Sequence, residues 1–563
     1  MNSKSPLQAS SRPAARRLAV VVGAFVTLVT VLVFQFSATA QTQAFAQDAA
    51  PAQPHRALRN QALEAQALPS LRLHFTMKRS SLNVHGLSEF DVLANPVVSA
   101  ADQSVSYNSV ASFQVGDVTH KYMLVDGVSY YATESLLQPA AQTTTCMSVD
   151  AFPQVSELLG ALNGAARISS VQSSQSIDCP SDKLFKLTFG GDTFVLCSTL
   201  RANGPGFKVF GADVNVEARY LASAVSIAAP AVAAEQLESC GKLSSSARPS
   251  TRTMSLLSGV TSANYVNVAP EAAGSSVVLA DPTCACKGAK RPCIFFHGLG
   301  RTTESAVSTT STYFGDLTGH APCCSSIKFA NLNTVNFGWN NATLQQKVCD
   351  IALDQSPTSS KTTKVIADTI VVAHSMGNNM LAGAIATGTC SLAKSSEWVA
   401  LSGPMKGSMG PDYLIKSCGS GGLSGLIAGI VGKCPADTAT RALAYKGEVN
   451  CPAALQAQYD AAQVAFKTSV TAAMCSDSSS GISSGDQLTY SLASSIIPHK
   501  SKENDGVVEY QSCRADLPTT QFANTYTSKF YVTKLNHMDT TFRHGDSASN
   551  NAQKPVKWFE CLL

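Results

Sequence analysis

The residue best placed to do chemistry is Ser375, which lies between a run of apolar residues and an apolar-periodic segment. The residues from Thr369 to Ala373 indicate a buried strand, and those after Gly377 indicate a helix that ends at Gly388. Small residues two before and two after Ser375 let the strand and helix backbones converge. We therefore expect Ser375 to lie exposed on a strained turn, where its hydroxyl becomes a nucleophile if a base is close.

This strand–turn–helix resembles the nucleophile elbow of α/β-hydrolases, with Ala373 in place of the usual first glycine. The pattern alone is weak, because Gly481-Ile-Ser-Ser-Gly485 also matches it. That second match has no apolar strand before it and no helix after it. Ser375 is therefore the predicted nucleophile.

Two further segments resemble parts of secreted lipase-like α/β-hydrolases, including types found in oomycetes. An apolar strand ends at His297-Gly298, and the resemblance implies that the backbone N–H groups of Leu299 and Met376 bind the oxyanion, with His297 structural. Downstream, the segment 397–408 resembles the lipase strand that ends in Pro-x-x-Gly-Ser and shapes the floor of the pocket.

The resemblance also implies an acid and a base downstream of the serine, in that order. Asn504-Asp-Gly-Val-Val508 resembles the lipase acid loop, and Leu535-Asn-His-Met-Asp539 resembles the lipase histidine loop. Asp505 and His537 are thus the predicted acid and base, while His374 is interpreted as a neighbour of the nucleophile. The weaker alternatives are His544 and His499 for the base, and Asp477 and Asp486 for the acid.

The predicted fold class is α/β, with an α/β-hydrolase domain preceded by a β-rich (α+β) domain. At 563 residues the chain is long enough for two domains, each with its own core. The predicted boundaries are 1–40 for a signal peptide or signal-anchor, 41–69 for a linker, 70–240 for the β-rich domain, 241–283 for a second linker, and 284–563 for the hydrolase domain, with a lid-like insertion at about 409–500.

The N-terminus indicates export. Arg12, Arg16 and Arg17 precede an apolar run from Leu18 to Phe34. The small residues Ala38-Thr-Ala40 then match the cleavage site of a signal peptide. We expect the protein to be secreted, or anchored to a membrane if the segment stays uncleaved.

The cysteine content also fits an exported protein. The 17 cysteines predict disulfide bonds, and their odd number leaves at least one unpaired. Asn341-Ala-Thr343 is an N-glycosylation sequon. Arg56-Ala-Leu-Arg59 resembles the Arg-x-Leu-Arg motif of oomycete effectors, but the expected acidic-arginine run is missing, so an ordinary basic patch is the favoured interpretation.

The N-terminal half shows strand patterns without chemistry. From Leu71 to Lys78 apolar and polar residues alternate, which indicates a half-buried strand. Asp126-Gly127 and Gly190-Gly191 predict tight turns between strands, and 155–162 predicts a short helix. A curved sheet backed by a helix would be loosely similar to lipoprotein-carrier half-barrels. The sequence does not identify its ligand.

Two features of the C-terminal half carry alternative interpretations. The apolar segment from Leu423 to Val431 is either a lid over an acyl pocket or an ordinary buried helix. Asp539 matches the position at which some bacterial lipases bind calcium, and the alternative is a hydrogen bond within the loop. No cofactor or metal is predicted for the chemistry, with calcium as the minor alternative.

These observations lead to one functional hypothesis and its rivals. The hypothesis is an exported serine ester hydrolase, lipase- or esterase-like, that cleaves lipid or other acyl esters through an acyl-enzyme. The rivals are a phospholipase or thioesterase and, because Ala373 and Asn378 depart from the family pattern, an inactive hydrolase-fold binding protein. A net charge of +4 without a basic, aromatic patch argues against nucleic acid as a partner, whereas a membrane surface is compatible.

Overall fold

The computed structural model describes most of the chain from residue 68 onward. The described residues are 68–99, 104–138, 142–146, 158–181, 183–198, 205–232, 240–243, 248–259, 275–420, 430, 432, 434–482, 486–548 and 550–563. The predicted signal segment 1–40, the Arg56–Arg59 motif and nearly all of the predicted linker 41–69 lie outside them. Within the described residues, no helix combines the length and the apolar character needed to cross a membrane.

The chain divides into two compact units, described separately below. The first, here named the sheet unit, has its described residues within 68–76 and 89–280. The second, the α/β unit, contains 77–88 together with 281–563. The short segment 77–88 thus belongs to the same unit as Ser375, although about 190 residues of the sheet unit separate it in sequence from the rest of that unit.

The described part of the sheet unit forms one large antiparallel sheet. Strands β1–β6 and β9–β12 each form a meander, and the two meanders join where β1 lies beside β12. The elements are β1 (Leu71–Met77), β2 (Glu89–Val98), β3 (Val105–Val115), β4 (Val118–Val125), β5 (Val128–Ser135), β6 (Thr143–Cys146), α1 (Leu158–Asn163), β7 (Ala166–Ile168), β8 (Ser170–Gln172), β9 (Leu184–Phe189), β10 (Asp192–Ser198), β11 (Pro205–Phe210), β12 (Val214–Tyr220), α2 (Thr251–Ser258) and β13 (Ser276–Val278).

The local patterns predicted for this unit are present. Alternate residues of β1 are buried, and Asp126-Gly127 links β4 to β5 with positive φ at both residues, as a tight hairpin turn requires. Gly190-Gly191 links β9 to β10 in the same way. The short helix predicted at 155–162 is α1, whose described residues begin at Leu158.

The segment 241–283, predicted as a linker, contains two elements of the sheet unit. Helix α2 is capped by Ser250, whose side-chain oxygen accepts the N–H of Thr253. The helix buries Leu256 and Leu257. Strand β13 pairs in parallel with β8. Two short apolar clusters among many serines and threonines gave too little periodicity to predict these elements.

The α/β unit is built on a mostly parallel sheet flanked by helices. Its elements are β14 (Arg291–Phe296), β15 (Ser305–Ser308), β16 (Cys324–Asn331), α3 (Ala342–Leu353), β17 (Val365–Ile366), β18 (Ile370–His374), α4 (Met376–Ala386), β19 (Ser391–Leu392), β20 (Glu397–Leu401), α5 (Met409–Ser420), α6 (Thr438–Arg441), α7 (Ala453–Ser469), β21 (Ala472–Ser476), α8 (Gln487–Ile496), α9 (Tyr510–Cys513), β22 (Phe522–Ala523), β23 (Phe530–Thr533) and α10 (Pro555–Leu562). Short 3-10 turns occur at Ser80–Leu82, Thr519–Gln521, Asp539–Thr541 and Asn551–Gln553.

The strand order places β18 at the centre of this sheet. Among the described residues the order is β15-β16-β14-β18-β20-β21-β23-β22, and every pair is parallel except β15 with β16. All five residues of β18 are buried, as expected for a strand covered on both faces. The nucleophile candidate therefore follows a central strand that is buried along its whole length.

Two hydrophobic cores lie on the two faces of this sheet. Val371 and Ala373 of β18 face one core, which is completed by α3, α4 and α7. Ile370 and Val372 face the other, which includes Phe559 of α10. The alternation along the strand sends successive side chains to opposite cores. Burial on both faces fixes the height and register of the strand that ends at Ser375.

The predicted lid-like insertion at about 409–500 includes part of the sheet. Strand β21, which is buried throughout, lies between β20 and β23. The stretch Ala472–Ser476 has only five residues, two of them alanines, so its pattern was too short to distinguish a core strand from a loop. Of the apolar segment from Leu423 to Val431, only Ile430 lies within the described residues.

All 17 cysteines lie among the described residues. Sixteen form eight disulfides, and the buried Cys451 is free, which confirms the prediction of one unpaired cysteine. The pair Cys284–Cys561 closes a loop of 277 residues and links the beginning of the α/β unit to its C-terminus. This many disulfides is typical of proteins that fold in an oxidising compartment.

Candidate active site

Ser375 lies on a strained turn between β18 and α4. Its φ is 53° and its ψ is −131°, a conformation that costs energy for a residue with a side chain. Its N–H donates to the carbonyl of Leu401 in the neighbouring strand at 2.9 Å. At Gly377 a Cβ atom would lie 2.7 Å from the Phe296 carbonyl oxygen, so only glycine lets α4 pass this close to β14. Ala373, by contrast, has its methyl group buried in the core.

Asn378, which departs from the family pattern, braces this turn. Its Nδ2 donates to the carbonyl oxygens of Ala373 (2.9 Å), Ser375 (3.3 Å) and Leu401 (3.0 Å). Its Oδ1 accepts from the indole N–H of Trp398 at 3.2 Å. The side chain is fully buried, so these bonds form without competition from water. The asparagine therefore adds support to the turn at a position where a small residue leaves none.

The structure brings the three predicted triad side chains together. His537 Nε2 lies 3.0 Å from Ser375 Oγ, and His537 Nδ1 lies 2.7 Å from Asp505 Oδ2. All three residues are buried. Ser375 is 7 % exposed, so the prediction that it lies exposed was wrong, although it lines a cavity. A nucleophile, a base and an orienting carboxylate within hydrogen-bond reach form the arrangement that activates a serine. The geometry agrees with the predicted roles, which themselves remain predictions.

Asp505 is oriented by its own loop. Its Oδ1 accepts the backbone N–H groups of Val507 at 2.9 Å and Val508 at 2.7 Å, which leaves Oδ2 for His537. The backbone N–H of His537 donates to the Asp505 carbonyl at 2.9 Å, so the acid and base loops are also joined directly. Asp505 itself lies in a turn between α8 and α9.

The turn at His297-Gly298 lies against the nucleophile. A Cβ atom at Gly298 would be 2.6 Å from Ser375 Cβ and 3.0 Å from Ser375 Oγ. His297 has a structural place, because its Nε2 accepts the N–H of Leu332 at 3.1 Å and its Nδ1 lies 2.9 Å from the Gly298 carbonyl. Burial lowers the pKa of His297.

The two predicted oxyanion donors lie beside this turn. Leu299 follows Gly298 and lines the cavity that contains Ser375. Met376 is the first residue of α4, where a backbone N–H has no acceptor within the helix. Both positions suit a donor to a developing negative charge, although the assignment remains a prediction.

The weaker candidates for acid and base are engaged elsewhere. His499 is paired with Glu509 at 2.7 Å, and Asp477 forms an ion pair with Lys534 at 2.8 Å. Asp486 is paired with Arg543. The last candidate, His544, faces Asp539. Each of the four candidates therefore has a polar partner outside the group formed by Ser375, His537 and Asp505.

The surroundings of Asp539 do not fit a calcium ion. Its Oδ2 accepts the backbone N–H of Ile482 at 2.7 Å, and its Oδ1 lies 2.6 Å from His544 Nδ1. An imidazole donor thus takes the place at which a calcium-binding carboxylate would hold the ion. Within the described residues no group of three or more His, Cys, Asp or Glu side chains could hold a metal. The loop hydrogen bond is therefore the interpretation that the contacts favour.

A small cavity opens onto the serine. Its volume is ≈ 160 Å³, and Pro404 and Ser408 of the predicted pocket-floor segment line it. Ile430, the described residue of the predicted lid segment, also contributes. The other lining residues are Leu299, Tyr313, Ser375, Pro411, Leu443, Tyr490, Val507, Val508, His537 and Met538. Apart from the catalytic candidates the lining is mostly aliphatic, which suits an acyl chain more than a polar group.

Two tyrosines of the cavity escaped the sequence analysis. Tyr313 lies in the Ser/Thr-rich loop after β15, and Tyr490 lies on α8. Neither belongs to a motif, and only the tertiary fold brings each of them to the cavity that contains Ser375. Burial raises the pKa of Tyr313 to about 12 and raises the pKa of Tyr490, so both hydroxyls keep their protons at neutral pH.

Comparison with known proteins gives a weak structural similarity. No protein-family model matches the chain, and no curated protein matches it. Among solved structures, the crystal structure of Bacillus licheniformis lipase BlEst2 in its mature form is similar, with 18% sequence identity and a TM-score of 0.30. The alignment covers 47% of this chain and 91% of that chain. A TM-score this low carries no argument about fold or function.

Proposed function

We propose that the chain is an exported serine ester hydrolase whose α/β unit has the α/β-hydrolase fold. The observation that carries the proposal is the hydrogen-bonded series from Ser375 Oγ through His537 to Asp505, at 3.0 and 2.7 Å. Parallel strands with helices on both faces, and a nucleophile on a strained turn after the central strand, support the fold assignment. The eight disulfides support export.

The mechanism begins with a proton transfer. His537 Nε2 takes the hydroxyl proton of Ser375 as the oxygen attacks the acyl carbon, and Asp505 stabilises the imidazolium that forms. The backbone N–H groups of Leu299 and Met376 bind the negative oxygen of the tetrahedral intermediate. His537 then gives the proton to the departing alcohol and leaves Ser375 acylated. A water molecule, deprotonated by His537, releases the acid and regenerates the serine.

The cavity favours acyl groups of small size. At ≈ 160 Å³ it is smaller than the roughly 300–1,000 Å³ of a usual ligand pocket. Leu443, Val507 and Met538 offer apolar contacts to the acyl chain. A short-chain ester therefore fits the cavity as it stands, whereas a long acyl chain needs additional space. The preferred substrates in this conformation are short acyl esters.

A chain-length series tests this proposal. Hydrolysis of p-nitrophenyl acetate, butyrate, octanoate and palmitate would be compared, with a butyryl thioester and a phospholipid as further substrates. We expect the highest kcat/KM for butyrate among the esters and a loss of more than about 10³-fold in Ser375→Ala. Preference for the thioester or the phospholipid would favour the corresponding alternative function.

The second serine pattern supplies the control. Ser483, the serine of Gly481-Ile-Ser-Ser-Gly485, lies outside the described residues. Ser483→Ala should hydrolyse butyrate at the wild-type rate. Folded protein without any ester, thioester or phospholipid hydrolysis would contradict the proposal and favour the non-catalytic binding protein.

A further inference from the structure

A buried chain of hydrogen bonds joins the turn at Gly298 to the base loop without passing through Ser375. The N–H of Gly298 donates to Tyr313 Oη at 3.1 Å, and Tyr313 Oη lies 2.7 Å from His374 Nδ1. On the other side of the ring, His374 Nε2 lies 3.0 Å from the carbonyl oxygen of His537. The two side chains therefore link the backbone before Leu299 to the backbone of the base.

The chemistry of the partners fixes the direction of this chain. The carbonyl of His537 can only accept, so His374 Nε2 carries the hydrogen and Nδ1 must be the acceptor. Tyr313 then donates its hydroxyl proton to His374 Nδ1 and accepts from Gly298 with its oxygen. Thr540 Oγ1, which donates to the same carbonyl of His537 at 2.8 Å, is consistent with this assignment. Thr540 Oγ1 also lies 3.1 Å from His374 Nε2, so the hydrogen on Nε2 is shared between the His537 carbonyl and this hydroxyl oxygen, whereas Tyr313 donates to His374 Nδ1 alone.

Burial keeps the His374 imidazole in the neutral form that this hydrogen-bond chain requires. His374 is fully buried, and burial and the nearby His537 hold the pKa of His374 well below its ordinary value of 6.5. The imidazole stays neutral and keeps Nδ1 available to Tyr313. Its ring centroid lies 5.5 Å from that of Tyr313 and 4.7 Å from that of His537. A neutral ring at this distance adds no positive charge beside the base.

We propose that Tyr313 and His374 are positioning residues that hold the oxyanion turn and the base loop in register around Ser375. This inference rests on the proposed esterase function. Gly298 contacts Ser375 and immediately precedes Leu299, so a shift of its N–H displaces the predicted oxyanion donor. His374 likewise anchors the backbone of His537 and thereby the direction of its ring. Both loops meet at this buried pair, in which His374 occupies a variable position of the Ser375 motif and Tyr313 lies outside every motif.

Tyr313→Phe tests the role of the hydroxyl. The change keeps the ring but leaves the Gly298 N–H and His374 Nδ1 without their partner. Since misplacement of catalytic groups by about 1 Å costs up to 10²-fold, we expect kcat for p-nitrophenyl butyrate to fall about 10- to 100-fold, with KM within twofold of wild type.

Tyr531→Phe is the matched control. Tyr531 is fully buried in the same unit, its hydroxyl donates to the Asn551 carbonyl, and it accepts the N–H of Lys554. Tyr531 does not line the cavity at Ser375. We expect this variant to unfold at a temperature similar to that of Tyr313→Phe but to retain kcat within twofold. Equal kcat values for the two folded variants would overturn the inference.

A second pair of substitutions tests each side of the imidazole. His374→Asn preserves an acceptor near Nδ1 but loses the donor to His537, and His374→Gln preserves the donor near Nε2. We expect each to lower kcat, and Tyr313→Phe to add little to His374→Gln, because that variant already removes the acceptor of the Tyr313 hydroxyl. Full additivity of the two losses would contradict the proposal.

A spectroscopic readout separates this inference from the proposed function. The His537 Nδ1 proton, assigned through its loss in His537→Gln, would be followed by ¹H NMR. It should shift or broaden in Tyr313→Phe and stay unchanged in Tyr531→Phe. Wild-type protein that hydrolyses no ester would refute the function, while this comparison would still decide whether Tyr313 positions the base. An unchanged resonance in Tyr313→Phe would refute the positioning role.

Discussion

Substituting Arg79 should destabilise the α/β unit more than any exposed ion pair does. Arg79 is fully buried, with Nη1 2.7 Å from Asp546 and Nη2 2.8 Å from Glu560. Arg79→Met would leave two buried carboxylates without their cation. Breaking such an arrangement costs about 3–5 kcal/mol, which corresponds to a decrease of roughly 10 °C in the unfolding temperature.

Calorimetry and residual activity would measure this effect. The control is Lys347→Met, which removes an ion pair with Glu304 whose two side chains are 36% and 37% exposed. Exposed pairs contribute at most about 1 kcal/mol, so the control should shift the transition by no more than a few degrees. Equal shifts for the two variants would refute the role given to Arg79.

The same cluster predicts a pH dependence. Burial alone would raise the pKa of Glu560, but the hydrogen bond from His320 and the charge of Arg79 outweigh it and hold the pKa below its ordinary 4.5. The unfolded chain therefore binds this proton more readily, and stability falls as the pH decreases below 4.5. In Arg79→Met the decline over this range should be shallower. An unchanged slope would show that Arg79 does not lower the pKa of Glu560.

Three further predictions concern the site. Gly377→Ala should lower kcat at least tenfold, because the new methyl group meets backbone oxygens at 2.7 and 3.0 Å, whereas Ala373→Gly should not; equal activities would refute the packing argument. Asn378→Asp turns a carboxylate toward three carbonyl groups and should lower the free energy of unfolding, measured by urea titration, by at least about 2 kcal/mol. An unchanged free energy of unfolding would contradict the role of Asn378 in bracing the turn. Chelators should leave activity intact while His544→Gln lowers it; inactivation by chelator with rescue by calcium would show that Asp539 holds the ion.

Short sequence motifs predicted the three triad candidates, but they did not predict the residues that hold these side chains in place. Ser375, Asp505 and His537 belong to short motifs in which glycine and flanking apolar residues constrain the backbone locally, and these motifs could be recognised one by one. The structure places the three side chains within hydrogen-bond reach of one another. Their identity depends on local pattern, and their distances depend on the sheet that holds them.

The supporting residues could not be predicted in this way. Tyr313 lies 61 residues from His374, and Arg79 lies 467 residues from Asp546. A buried pair so far apart leaves no periodicity in the sequence, because only the tertiary fold creates the contact. Arg79 also follows a strand of the sheet unit, so the order of elements along the chain concealed that it belongs with Ser375.

The predicted limits of the insertion at about 409–500 disagree with the observed elements where the strand pattern is short. Strand β21 is a five-residue run within a region predicted as an insertion, yet it completes the centre of the sheet. Burial on both faces allows small residues such as Ala472 and Ala473, which weakens the usual strand signal of β-branched side chains. Strand β1 was predicted from the alternation over 71–78 and is observed at Leu71–Met77, because alternation sustained over several residues is typical of a strand with one buried face.

The central claim is that His537 activates Ser375 as a nucleophile. Labelling with a fluorophosphonate, followed by mass spectrometry of the digested protein, tests it most directly. The wild-type protein should carry one phosphonyl group, located on the peptide that contains Ser375. The adduct should be absent in Ser375→Ala and form more than about 100-fold more slowly in His537→Ala. Folded wild-type protein that remains unlabelled, or a label that persists in Ser375→Ala, would contradict the claim.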